Sequence, residues 1–260
     1  MTAPGGPAPP GDPKETVMPK TFLIDTSRCT ACRGCQIACK EWHELPANET
    51  RQTGSHQNPP DLNPNNYKLV RFSEHMENGV IRWNFFPDQC RHCDVPPCKE
   101  IGDIYHEGTM IQDAKTGAVI FTDKTTVFTE EEFEQVRDAC PYDIPRRNPE
   151  TGLLAKCTMC NERVLKGMLP ACVKVCPTGA MSFGERADML KLAESRLATV
   201  RKTWPKAMLA DPEDVNVIYL LTDDPGNYHT HSVAQAAIGP MTKKQFLATL
   251  ARPFRAMAKA

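Results

Sequence analysis

Twelve cysteines in 260 residues constrain this chain more than any other feature, because they fall into short-spaced groups. The first group is Cys29-x2-Cys32-x2-Cys35-x3-Cys39, and the last is Cys157-x2-Cys160-x11-Cys172-x3-Cys176, followed by Pro177. Between them lie Cys90-x2-Cys93-x4-Cys98 and a solitary Cys140-Pro141. None of the twelve is left over. A chain of this length buries a core without covalent staples, and thiols two or three residues apart would close strained disulfide rings. The cysteines therefore point to metal chemistry.

Structural zinc also uses Cys-x2-Cys, but as two pairs of ligands, and a third cysteine close behind the second departs from that pattern. The first group instead has the spacing of the bacterial ferredoxin run, in which three thiolates serve one four-iron cluster and the fourth serves a neighbour. Under that crossing rule Cys29, Cys32, Cys35 and Cys176 form one set, and Cys39, Cys157, Cys160 and Cys172 a second. The two halves of the chain must then meet in space, and cluster assembly is coupled to folding. Cys90, Cys93, Cys98 and Cys140 form a third set. A complete second unit would carry four more cysteines at positions that hold Gly102, Glu130, Phe133 and Val136. Those absent four are the ligands of one cluster, so the expected content is three 4Fe-4S clusters, about twelve irons.

The expected fold is α+β: a duplicated bacterial-ferredoxin-like cluster domain of two pseudo-repeats, one cluster lost, with β-hairpin insertions and a cysteine-free α/β C-terminal extension. Residues 1–20, rich in proline, read as a flexible extension. Residues 21–184 form the iron–sulfur domain, with an outer unit of 21–50 plus 155–184 around an inner unit of 85–150. Residues 185–260 either wrap that domain or contact a partner subunit. Gly108 to Phe121 alternates apolar residues about an Asp113…Gly117 turn, and Asn78-Gly79 lies between two further apolar runs, Lys68 to Phe72 and Val80 to Phe86; both read as hairpins, the second outside the cluster loops. Thr129 with Glu132 is a capping box opening a helix toward Cys140. Glu185 to Lys202 reads as a surface helix with one buried face, Val215 to Leu221 as a buried strand, and Met241 to Ala251 as a short helix before a basic tail.

With 31 basic and 32 acidic residues the chain lacks the positive field that nucleic acid or an anionic membrane would require. No run approaches the roughly 20 apolar residues of a membrane span, and the N-terminus lacks the features of a secretory or twin-arginine signal. No dinucleotide fingerprint, Ser/His/Asp pattern or HExxH motif competes with the cysteines, so the chain is expected to contain no catalytic site. His92, inside the Cys90 loop, and Lys40, directly after Cys39, are candidates to tune a cluster without ligating it; Lys40 reads equally well as a solvated charge. His43, His229 and His231 read as surface or supporting residues, and Trp42, Trp83, Phe85 and Phe86 as core or interface aromatics.

The segments Cys29-Thr-Ala-Cys32-Arg-Gly-Cys35-Gln-Ile-Ala-Cys39-Lys40-Glu-Trp42, Gln89-Cys90-Arg-His92-Cys93-Asp-Val-Pro-Pro-Cys98-Lys99, Ala139-Cys140-Pro-Tyr142-Asp143-Ile-Pro145 and Leu169-Pro-Ala-Cys172-Val-Lys174-Val-Cys176-Pro-Thr-Gly179 together resemble the electron-transfer subunit of the molybdopterin oxidoreductases. Arg33-Gly34, Gln36, Lys40 and Trp42, with the stretch from Gly54 to Pro60, most resemble the small subunit of formate dehydrogenases. Larger relatives carry four clusters and a C-terminal membrane helix; this chain is similar to the soluble three-cluster form of periplasmic formate dehydrogenases. The resemblance implies a large partner subunit that holds tungsten or molybdenum with two pterin guanine dinucleotides and its own four-iron cluster and oxidises formate, a multihaem cytochrome c or similar acceptor, and export to the periplasm with the signal-bearing partner. It also implies that the set of Cys29, Cys32, Cys35 and Cys176 lies nearest the catalytic subunit. Iron–sulfur subunits serving polysulfide, thiosulfate or sulfoxide enzymes, a free-standing polyferredoxin and a cytoplasmic location remain the alternatives.

Overall fold

The computed structural model of the chain describes residues 19–234. Along them run β1 (Lys20–Asp25), α1 (Gly34–Trp42), β2 (Leu69–Glu77), β3 (Val80–Asp88), α2 (Pro97–Tyr105), β4 (Met110–Gln112), β5 (Val119–Phe121), α3 (Glu130–Asp138), β6 (Arg146–Arg147), β7 (Leu154–Ala155), α4 (Asn161–Val164), α5 (Ala171–Lys174), β8 (Met181–Glu185), α6 (Arg186–Val200), β9 (Met208–Ala210) and β10 (Val217–Leu221). The N-terminal proline-rich segment through residue 18 and the helix expected at Met241 to Ala251 lie outside the described residues. Among the described residues no helix is long and apolar enough to cross a membrane.

A four-stranded sheet in the order β8-β1-β10-β9 organises the chain. β1 pairs parallel with β10 and antiparallel with β8. Both inner strands are apolar without alternation, because both faces are covered. Phe22, Ile24, Val217 and Tyr219 pack on one side with Cys35, Cys172 and Met159. Leu23, Ile218 and Leu220 pack on the other with Ala193 and Val200 of α6, and with Cys90 and Cys157. The Val215 to Leu221 run, expected as a buried strand of a C-terminal extension, thus supplies an inner strand beside β1, and the expected boundary near residue 184 falls inside β8.

β2 and β3 form a long hairpin closed by Asn78 and Gly79, whose φ values of 51° and 77° are those of the two-residue turn that asparagine and glycine favour. Its tip carries exposed Met76, Ile81 and Trp83, while at its base Leu69, Val70 and Phe86 are buried. β4 and β5 form the second hairpin. Asp113 Oδ1 accepts the N–H groups of Lys115 and Thr116 at 2.9 Å each in its turn. Gly117 closes that turn at φ +75°, where a Cβ would stand 2.9 Å from Pro19 Cβ.

The capping box is present at α3: Thr129 Oγ1 accepts from the Glu132 N–H at 3.3 Å, and the Glu132 carboxylate accepts from the Thr129 N–H at 2.9 Å. Phe133 and Val136 of this helix join Cys98, Ile101, Met110 and Phe128 in a third apolar core. Gly102 sits beneath Met110, with a Cβ at that position only 2.7 Å from Met110 Sδ.

Candidate metal centre

The twelve cysteines line three separate hollows. Cys29, Cys32, Cys35 and Cys176 surround the first, with an empty volume of about 330 Å³, counting space open to solvent. Cys39, Cys157, Cys160 and Cys172 surround the second, of about 280 Å³. Cys90, Cys93, Cys98 and Cys140 surround the third, of about 310 Å³. Each hollow collects thiols from segments far apart in sequence.

The second hollow is the one whose four cysteines are all buried. The first reaches the surface, where Cys32 is exposed and Cys29 and Cys176 are half-buried, and in the third Cys93 and Cys140 are half-buried.

Three of the Cys-x2-Cys loops, Cys29 to Cys32, Cys90 to Cys93 and Cys157 to Cys160, are built the same way. The residue before the second cysteine is left-handed in all three: Ala31 at φ 53°, His92 at 48° and Met159 at 62°. This turns its N–H back onto the first sulfur. His92 N donates to Cys90 Sγ and Met159 N to Cys157 Sγ, each at 3.4 Å, and the Ala31 backbone bonds to Cys29. An N–H aimed at sulfur stabilises a thiolate, the form that binds metal. His43, at the end of α1, adds Nε2 at 3.8 Å from Cys160 Sγ.

Gathering thiols away from water opposes their ionisation. Burial, reinforced by neighbouring sulfur charge, raises Cys35 to about 12 and Cys39 well above the ordinary thiol range. Cys160 is likewise pushed up by burial to about 12, and Cys140 to about 11. Cys176 goes the other way: burial would raise it, but hydrogen bonds from the backbone of Met181, Thr178 and Ala180 and from the Thr178 hydroxyl outweigh burial and lower it. Four thiols facing a common hollow at such cost fit a polynuclear cation that takes up their charge, with proton release on assembly. The sets also act on one another. Behind burial, which leads each shift, Cys172 bears on Cys35, Cys176 on Cys172, and Cys90 on Cys157. The second hollow therefore neighbours both of the others.

Lys40 lines none of the three hollows, although its charge and that of Cys39 bear on one another. Its ammonium donates to the carbonyls of Pro46 and Asn65, the latter at 2.8 Å, and fastens the loop after α1. His92 is fully buried; its Nδ1 accepts from Val119 N at 3.0 Å, and its carbonyl accepts from Asn216 Nδ2 at 3.0 Å, tying the Cys90 loop to the segment leading into β10. Phe86 is buried, whereas Trp42 and Trp83 are exposed. Four buried charged or polar residues at the hollows were not singled out by sequence reasoning. Lys68 and Gln89 line the second hollow, and Arg91 and Lys156 line the third. Their sequence signal is weak, since Arg91 sits between two ligands and Gln89 before one, but nothing local marks a lysine as buried.

Comparison with known proteins supports iron–sulfur clusters in this chain. A family profile described as a 4Fe-4S dicluster domain matches residues 81–186. The formate dehydrogenase 2 subunit beta (cytochrome c-553) of Nitratidesulfovibrio vulgaris is 60% identical over 216 residues, covering 83% of this chain and 99% of the relative. The formate dehydrogenase subunit beta of Megalodesulfovibrio gigas is 52% identical over 217 residues, covering 84% of this chain and 100% of the relative. The nitrate-inducible formate dehydrogenase iron-sulfur subunit of Escherichia coli is 35% identical over 259 residues, covering 94% and 86%.

Proposed function

Because this chain belongs to the family of formate dehydrogenase beta, or iron–sulfur, subunits, we propose that it conveys electrons from formate oxidation in a molybdopterin-containing catalytic partner to an external acceptor through three 4Fe-4S centres. The observation that carries this reading is the grouping of twelve cysteines, four by four, around three hollows. The first centre is assigned to Cys29, Cys32, Cys35 and Cys176, the second to Cys39, Cys157, Cys160 and Cys172, and the third to Cys90, Cys93, Cys98 and Cys140. Bound there, the clusters would supply one-electron redox chemistry.

The chain's own residues hold the metal, keep water out and aim N–H groups at sulfur. The mutual reach of the sets supports a linear order with the second in the middle. Its four cysteines are buried, while the exposed Cys32 makes the first the natural face for the catalytic partner. The third, with Cys93 and Cys140 half-buried, is then the face toward the acceptor. A relative bearing the name of cytochrome c-553 supports a c-type cytochrome in that role, and hence a periplasmic location for the complex. The tungsten or molybdenum bis-pterin belongs to the partner. No residue of this chain is assigned a catalytic role.

The region around Gly102, Met110, Phe133 and Val136 supports descent from a four-cluster plan. Three of the four positions where a complete pseudo-repeat would need thiols fall in or against a packed apolar core.

The test is purification of the native complex with metal analysis and EPR. A large molybdopterin subunit should copurify, iron should approach about twelve per copy of this chain beyond the four expected in the partner's own cluster, with equal sulfide, and formate should reduce the centres. A monomer without that partner, or zinc without acid-labile sulfide, would overturn the reading.

A further inference from the structure

The hairpin of β2 and β3 pairs Leu69 with Asp88, so the residues just outside that pair, Lys68 and Gln89, stand opposite one another at its base. Both are buried, at 1% and 0% exposure. Lys68 Nζ donates to Gln89 Oε1 and, at 3.4 Å, to the carbonyl of Pro87. That contact uses the acceptor of the Gln89 amide and leaves its donor, Nε2, buried with no partner. Both side chains line the second hollow together with its four cysteines.

We propose that Lys68 and Gln89 form a buried donor pair between the first and second cysteine sets that raises the reduction potential of the centre held by the second set, and less strongly that of the first. A buried ammonium needs a counter-charge, and among the described residues no carboxylate is a partner of Lys68. The charge it faces is sulfur. Burial would lower its pKa, but Cys172, Cys35, Tyr219 and Cys157 outweigh burial and raise it. In return Lys68 favours the thiolates of Cys35 and Cys29 in the first set and of Cys172 and Cys39 in the second. Lys68 lines the second hollow itself, and its charge reaches the cysteines of the first as well. A fixed positive charge and a free N–H beside a centre favour its more negative, reduced form. The hairpin, which looks from the sequence like an insertion remote from the cysteines, is then the device that carries this charge inward.

The inference rests on the ligand assignment proposed above, and the experiment separates the two. The holo complex is titrated potentiometrically with EPR detection, with iron counted in every sample. Lys68→Met removes the charge. Gln89→Glu keeps Lys68 but neutralises it with a facing carboxylate, and carries the test where Lys68→Met does not assemble. In either variant one centre should become harder to reduce by tenfold or more in its one-electron equilibrium, about 59 mV, a second should shift less, and the third should stay. Full iron content with all three potentials unchanged, or with all three displaced equally, would overturn the inference. A wild-type complex lacking three distinct centres would instead sink the assignment beneath it.

Discussion

Arg91 donates through Nη1 to Asp88 at 2.8 Å, with both side chains 1% exposed. Asp88 also receives Arg71 Nε at 2.7 Å, and the Arg91 guanidinium lies 5.1, 4.8 and 4.6 Å from the ring centres of Phe86, Tyr142 and Tyr219. One carboxylate therefore serves two buried cations between two ligand-bearing segments. Asp88→Asn keeps the shape and removes the charge. Stranding a buried ion in this way costs about 3–5 kcal/mol, so the apparent melting temperature of the complex should fall steeply. Arg91 also lines the third hollow, and with less of its charge compensated the third centre should become easier to reduce. A loss of stability below about 1 kcal/mol would show that water, not Asp88, solvates Arg91.

Cys140 stands alone in the sequence, yet lines the third hollow with Cys90, Cys93 and Cys98. Cys140→Ala should remove the EPR signal of one centre and lower iron by about four per complex, sparing the other two signals of this chain. Loss of a pair of signals would contradict the grouping.

Which features the sequence displays follows from how local their causes are. The two hairpins, the capping box of α3 and the amphipathic α6 are written in turn residues and periodicity, and the cysteine sets in spacing. The parallel pairing of β1 with β10 joins Phe22 to Val217, and nothing in either apolar run names its partner. The left-handed residues Ala31, His92 and Met159 escape notice because no glycine marks them. In the sequence Lys40 is marked only by its adjacency to Cys39. On a helix each residue turns by about 100°, so Lys40 lines no hollow itself, yet its charge still bears on Cys39. Lys68 reads as an ordinary solvated lysine until the register of β2 with β3 places it opposite Gln89.

Acid should weaken this chain at His229. Burial, helped by the nearby Arg71 and His231 and opposed by Asp88 and Asp61, lowers its pKa from 6.5 to about 4. Its Nδ1 accepts the N–H of His231 at 3.2 Å, a bond that a doubly protonated ring cannot accept there. Between those two pH values the unfolded chain takes up a proton that the folded chain refuses. The contribution to stability is therefore complete above pH 6.5 and lost as pH falls toward 4. In His229→Asn the amide oxygen can accept the same N–H without titrating. The melting temperature of the wild-type complex should drop more between pH 7 and pH 5 than that of the variant; equal slopes would rule His229 out as a source of the acid sensitivity.

Met110 is fully buried and occupies the space against Gly102 and the inner face of α3. If this core replaces a cluster site, its stability comes from packing and not from metal. Met110→Ala should then cost about 2–5 kcal/mol, as large-to-small changes in rigid cores do, while the folded complex keeps its full iron count and three EPR signals. Gly102→Cys tests the converse. A Cβ there meets Met110 Sδ at 2.7 Å, so the added thiol should destabilise through overpacking, by about 1–3 kcal/mol, and recruit no iron. Iron falling in step with stability in Met110→Ala would instead mean that this core supports the third centre through Cys98, which it also contains. Iron gained in Gly102→Cys would mean that the vanished site is still open to metal.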